Sequence, residues 1–181
     1  CPVAIAGKAE ELGREVCGYK ITATDADLPE LIARFKYALI CVGQIKSAAV
    51  RKGLFGRAKA LGATLPVHIS PLAYVSPQAT LEEGVIVMHQ ALVNARARVG
   101  ANTIINTRAL VEHDAQIGAH CHISTGALIN GSCLVEEGCF VGSGAVLREG
   151  VRLGAESVIG CGAIVLGDVP PGGRAVGVWK G

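Results

Sequence analysis

The stretch LVEHDAQIGAHCHIS, residues 110–124, carries three of the chain's five histidines, a cysteine and two acids. Imidazoles, a thiol and carboxylates this close together offer two kinds of chemistry. One is a metal centre built from nitrogen, sulfur and oxygen ligands. The other is proton transfer, with an imidazole as base and a neighbouring carboxylate to orient it. His113 followed by Asp114 suits the second, and the dense His120-Cys121-His122 run raises the first. Where each side chain points decides between them, and the surrounding repeat sets those directions.

From Ile69 to Val165 every sixth residue is Ile, Val or Leu, seventeen positions without a slip. Four residues after most of them comes a small residue, among them Ala73, Thr103, Cys121, Cys133, Cys139, Ser157 and Ala163. An aliphatic and a small residue flanking one strand position both point inward, because side chains alternate along a strand. The spacing therefore predicts a parallel β-helix of hexapeptide repeats, with three strands to a coil of eighteen residues. Seventeen hexads make between five and six coils, roughly 25 Å tall at about 4.8 Å per coil.

The residue between each inward pair points outward, and sorting these by eighteen yields three faces. The first is Tyr74, Leu92, Leu110, Leu128, Val146 and Ile164; the third is Ile86, Ile104, His122, Phe140 and Val158. The second, Thr80, Arg98, Gln116, Leu134, Arg152 and Pro170, is largely polar. Two apolar stripes of that length on one chain predict a homotrimer in which both are covered.

The ruler also separates the histidines. His113 falls in the turn VEHDA, where its equivalents one coil away are Ala95 and Gly131, leaving space beside the ring. His120 belongs to another corner, Cys121 points into the core, and His122 interrupts the third face. A polar group on a face expected to be covered by a neighbour needs a partner, so His122 is expected to line a cleft between chains with the neighbour's His113. Three ligands converging on one metal are not expected. Adjacent residues usually point apart, so only a tight corner could bring the Asp114 carboxylate to the His113 ring. A solvated turn histidine and a locally bonded turn aspartate are the alternatives. His68 and His89 lie outside the motif and are assigned surface or turn roles.

Composition narrows the rest. Half the 181 residues are hydrophobic but only 4% are aromatic, and glycine is abundant at 24, which favours a turn-rich aliphatic core over a helix bundle. A net charge of +2 without a basic run gives no indication of nucleic acid. No apolar run approaches the ~20 residues of a membrane span and no signal-peptide pattern is present, so a cytoplasmic protein is expected. The seven cysteines form no CxxC pair and are read as reduced thiols. A chain that starts at Cys1 rather than Met is expected to lack its first residues.

Residues 1–68 lack the ruler. TDADLPELIARF (24–35) and SAAVRKGLFGRAKALGA (47–63) read as helices, and YALICVG (37–43) as a buried strand ending in glycine. Helix, strand, helix, strand predicts a small α/β unit with parallel pairing, with Gly43 and Gln44 at a strand end where such units bind ligands. A plain strand-to-helix turn is the alternative there.

VGQIKSAAVRK, the hexad ruler and INTRALVEHDAQIGAHCHIS together resemble the nucleotide-aminosugar N-acetyltransferases and sialic-acid O-acetyltransferases. The resemblance covers nearly the whole chain. It implies an N-terminal α/β, Rossmann-like subdomain over 1–68 that holds the nucleotide-sugar, and a left-handed parallel β-helix over 69–181 that holds acetyl-CoA. The family's GxGGH turn is absent from CPVAIAGKAEELG, so the N-terminal subdomain looks incomplete. His113 is then the general base and Asp114 its orienting acid. His122, Asn106 and Gly131 bind the acetyl group and pantetheine arm, with a Gly131 amide exposed to the thioester oxygen, and Gly43 and Gln44 bind the nucleotide-sugar. The tail DVPPGGRAVGVWKG resembles a coenzyme A-binding tail, with Val178 and Trp179 in place of Pro-Ala. The implied reaction moves acetyl from acetyl-CoA to the 4-amino group of a nucleotide-linked sugar, without a metal. O-acetylation of a sialic acid, and less directly a γ-carbonic-anhydrase-like metalloenzyme, are the alternatives.

Overall fold

Each hexad folds into a two-residue strand and a corner. In the computed structural model, which describes residues 4–181, nineteen such strands run from His68–Ile69 to Val178–Trp179. Every one pairs in parallel with the strands about eighteen residues away, as Leu110–Val111 does with Leu92–Val93 and with Leu128–Ile129. Three sheets result, seven-stranded on the first and third faces and five-stranded on the second. The arrangement is a three-sided parallel β-helix, consistent with the left-handed form that the resemblance implies.

The interior is the predicted one. Val93, Val111, Ile129 and Leu147 are fully buried in successive coils, with Ala91, Ala109, Ala127 and Ala145 as the small partners beside them. Where the small residue is polar it has work inside: Thr103 Oγ1 donates to the Gly118 carbonyl, and the Cys121, Cys133 and Cys139 thiols donate to the carbonyls of Glu136, Arg148 and Gly154. The buried cysteines are free thiols, as expected. Trp179 closes the top of the core, its indole N–H donating to the Asp168 carbonyl at 3.0 Å.

Corners close through one residue with positive φ per hexad: Arg96, Asn102, Arg108, Asp114, His120, Gly126 and Ser132 in sequence. Left-handed backbone disfavours non-glycine residues, yet here it is imposed by the coil beneath. The amides of Asp114 and Ser132 donate to the carbonyls of Ala95 and His113, nineteen residues earlier.

By contrast with the expectation of a second stripe open to a neighbour, the third face is covered by the chain itself. Ile86, Ile104, His122 and Phe140 are all buried. Residues 40–55 group with the coils in one compact unit. In that stretch Gln44 donates to the His120 carbonyl, Arg51 to the Asn102 carbonyl, and Phe55 meets His120 edge-on at 5.4 Å. Only the first face keeps an exposed apolar stripe, at Tyr74, Leu128, Ile164 and Val178.

YALICVG forms no strand beyond a single bridge between Tyr37 and Thr64. Within it the Arg51 guanidinium takes the carbonyls of Ile40 and Val42, alternate groups of the kind that a neighbouring strand would bond. The other compact unit comprises residues 4–39 with 56–65. Its sheet is mixed rather than all-parallel. Strand β1 (Ile5–Gly7) runs parallel to β3 (Tyr19–Thr24), and β2 (Glu15–Val16) pairs antiparallel with β3. Helix α1 (Leu28–Phe35) follows a capping turn in which Thr24 and Asp27 bond reciprocally, and it ends at Lys36 in the left-handed region. Helix α2 spans Ala49–Ala60.

Ile129 is fully enclosed in the coil that carries Gly131. Ile129→Ala is expected to lower unfolding free energy by about 2–5 kcal/mol, measured by denaturant titration; a loss below ~1 kcal/mol would contradict a close-packed prism interior.

Candidate active site

His113 and Asp114 meet because of the corner between the first and second faces. The positive φ of 62° at Asp114 turns its side chain back along the chain, and its Oδ2 lies 2.9 Å from His113 Nδ1. A carboxylate can only accept, so Nδ1 is the donor of this contact, and in the neutral ring that leaves the lone pair on Nε2. The carboxylate is gripped from the other side by Arg96, whose Nε and Nη2 donate to Oδ1 and Oδ2 at 2.6 and 2.8 Å. Hydrogen bonds from Arg96 first, and from His113 second, hold the Asp114 carboxyl well below the usual carboxylate range. Glu112, on the near side of the same turn, accepts from the His113 amide and from the Asn94 side chain.

The imidazole lies over Gly131, one coil on. A Cβ at Gly131 would come within 2.8 Å of His113 Cε1 and 3.0 Å of Nε2, so only glycine admits the ring in this position. Gly131 is buried there, where an exposed amide was expected. His113 itself is exposed.

Three of the remaining expected site residues, His122, Asn106 and Gln44, form a second group on and beside the third face. His122 Nδ1–H donates to the Gln44 backbone carbonyl at 2.8 Å, and Nε2 accepts from Asn106 Nδ2 at 3.0 Å. Both ring nitrogens are thus engaged within one chain. Segment 40–55 covers the face on which it sits, which the hexad pattern alone does not reveal. Gln44 is buried as well, with its side-chain amide on His120. Gly43 is exposed with open space around it, in irregular chain rather than at a strand end.

Arg96 is the member of the site that reading the sequence missed. It stands eighteen residues before Asp114, an opposite charge at the same corner position of the preceding coil, and that spacing is the signal that would have found it. Among the described residues no group of three His, Cys, Asp or Glu side chains is placed to hold a metal ion. No helix among them is long and apolar enough to cross a membrane.

No protein-family model and no curated protein sequence matches the chain. Solved structures do. A variant of perosamine N-acetyltransferase from Caulobacter crescentus, in complex with CoA and GDP-perosamine, superposes with a TM-score of 0.88 at 34% identity, over 93% of this chain and 79% of that one. The acetyltransferase domain of PglB from Neisseria gonorrhoeae FA1090, in complex with acetyl coenzyme A, gives 0.89 at 32% identity over 96% and 82%. WeeI from Acinetobacter baumannii AYE shares the fold, with a TM-score of 0.85 at 23% identity over 94% and 81%.

Burial lowers the proton affinity of both His122 and His120 from the ordinary histidine value of 6.5. The folded state binds these protons less readily than the unfolded chain, so their contribution to stability is complete above about pH 6.5 and is lost as pH falls through the folded values. Thermal melts are expected to show a falling Tm between pH 7.5 and 5, with a shallower fall in His122→Gln. Equal melting temperatures across that range would contradict the neutral, doubly bonded His122.

Proposed function

The chain belongs to the hexapeptide-repeat nucleotide-sugar acetyltransferases, and we propose that it carries acetyl from acetyl-CoA to the 4-amino group of a nucleotide-linked amino-sugar, with His113 as general base. The observation that carries this reading is the His113–Asp114 contact at 2.9 Å, which leaves Nε2 as a proton acceptor at an exposed corner. The acceptor amine attacks the thioester carbonyl carbon; a C–N bond forms and the C–S bond breaks. The amine's proton passes to Nε2 and from there to the departing coenzyme A sulfur, so base and enzyme return unchanged. No acyl-enzyme is required, and the core thiols of Cys121, Cys133 and Cys139 are buried.

The likeness to structures holding CoA with GDP-perosamine supports an amine acceptor on a nucleotide-sugar. In this reading residues 1–68 hold the nucleotide-sugar and residues 69–181 hold acetyl-CoA, in a cytoplasmic enzyme. Asp114 orients the base, and Gly131 makes room for its ring. Asn106, His122 and Gln44, bonded to one another, brace residues 40–55 on the coils, and through that brace shape the approach of the substrates. A homotrimer follows from the apolar first face, whose Tyr74, Leu128 and Ile164 stand open on the single chain.

His113→Ala is expected to lower turnover of a nucleotide-linked 4-amino-sugar with acetyl-CoA by about 10²–10⁴-fold, followed by thiol release, with the melting temperature unchanged. Retained turnover would refute the assignment of the base. Light scattering is expected to return three times the mass of one chain, and the mass of a single chain would overturn the trimer.

A further inference from the structure

We infer that Arg96 is a positioning residue for His113, acting through Asp114 to fix which imidazole nitrogen carries the proton. The inference rests on the reading of His113 as the base. Arg96 and Asp114 occupy the same corner position in consecutive coils, both with positive φ, so their side chains leave stacked corners side by side. The guanidinium makes two bonds to the carboxylate, one to each oxygen. A carboxylate on its own turns about a broad, two-fold torsion. A planar fork bonded to both oxygens removes that freedom. Oδ2 is thereby held where it can accept from His113 Nδ1, and the tautomer with Nε2 unprotonated is selected.

Stability is a poor explanation for this ion pair. Side-chain exposures of 69% for Arg96 and 34% for Asp114 leave it open to solvent, where such pairs contribute little. The coil is already secured by the Asp114 amide on the Ala95 carbonyl and by the strand ladder on either side. What the fork adds is direction, at the one corner that carries an imidazole over a glycine. The next two coils have Ser132 and Gly150 at the equivalent position, and neither carries a charge.

The test compares Arg96→Gln and Arg96→Lys with the wild-type full chain, using histidine labelled with nitrogen-15. In the wild type His113 is expected to hold its proton on Nδ1. In Arg96→Gln the tautomers are expected to relax toward the mixture of free histidine, and turnover to fall on the order of ten- to a hundredfold, with KM for acetyl-CoA and Tm unchanged. Arg96→Lys keeps the charge but cannot form the fork, and is expected to restore neither. An unchanged tautomer in Arg96→Gln, or full restoration by lysine, would overturn the inference, and so would a fall in Tm that accounts for the lost turnover. If no amino-sugar is turned over by the wild type, the assignment of the base fails, while the nitrogen-15 spectrum still decides whether Arg96 sets the tautomer.

Discussion

Two-residue strands are too short to pair stably on their own. Here each is held because the coil before and the coil after supply its backbone partners in unbroken register, and the inward side chains of all three layers meet in one dry column. That ladder explains the composition: a narrow column has room for Val, Ile, Leu and Ala but not for rings, hence the scarcity of aromatics. It also explains why corners accept arginine, aspartate and histidine in a backbone conformation that such residues avoid. The carbonyl of the preceding coil holds the amide, and the cost of the left-handed residue is met by the stack rather than by the corner.

The candidate site is a by-product of the same constraint. Side chains inside the column cannot reach substrate, and those on a face spread outward from a flat sheet. A corner differs because its residues turn sharply and stack on the corner of the next coil. His113 gains a glycine under its ring from the coil after it and an arginine behind its acid from the coil before it. Three coils therefore contribute to one cluster of side chains, although the chain segment that names it, VEHDA, lies within one turn.

What could be read from the sequence was whatever the period of six or eighteen controls. The inward column, the membership of the three faces, the separate corners of His113 and His120 and the inward turn of Cys121 all follow from counting. The pairing of Arg96 with Asp114 was equally within reach of counting, but a lone surface arginine carries no mark until its neighbour eighteen residues later is considered. What counting could not reach lies in the irregular chain. Residues 40–55 cover the third face and take up Nδ1 of His122 and the Asn102 carbonyl through Gln44 and Arg51. Nothing periodic announces this, nor that the same arginine bonds the Ile40 and Val42 carbonyls within the expected strand at 37–43. Long-range placement of a loop depends on particular polar partners, and these leave no repeat behind.

The constancy of the coil has a consequence for how the chain can change in length. An insertion or deletion of eighteen residues within the column returns every later residue to the same face and the same corner. A change of six passes each later residue to the next face, so an apolar stripe becomes part of a polar one. A change that is not a multiple of six breaks the alignment of the hexads and turns inward residues out. Growth or loss in this part of the molecule is therefore quantised, and the His113–Asp114 corner has a fixed address within each quantum. Its distance from either end of the column can vary by whole coils while its own chemistry, drawn from three consecutive ones, stays intact.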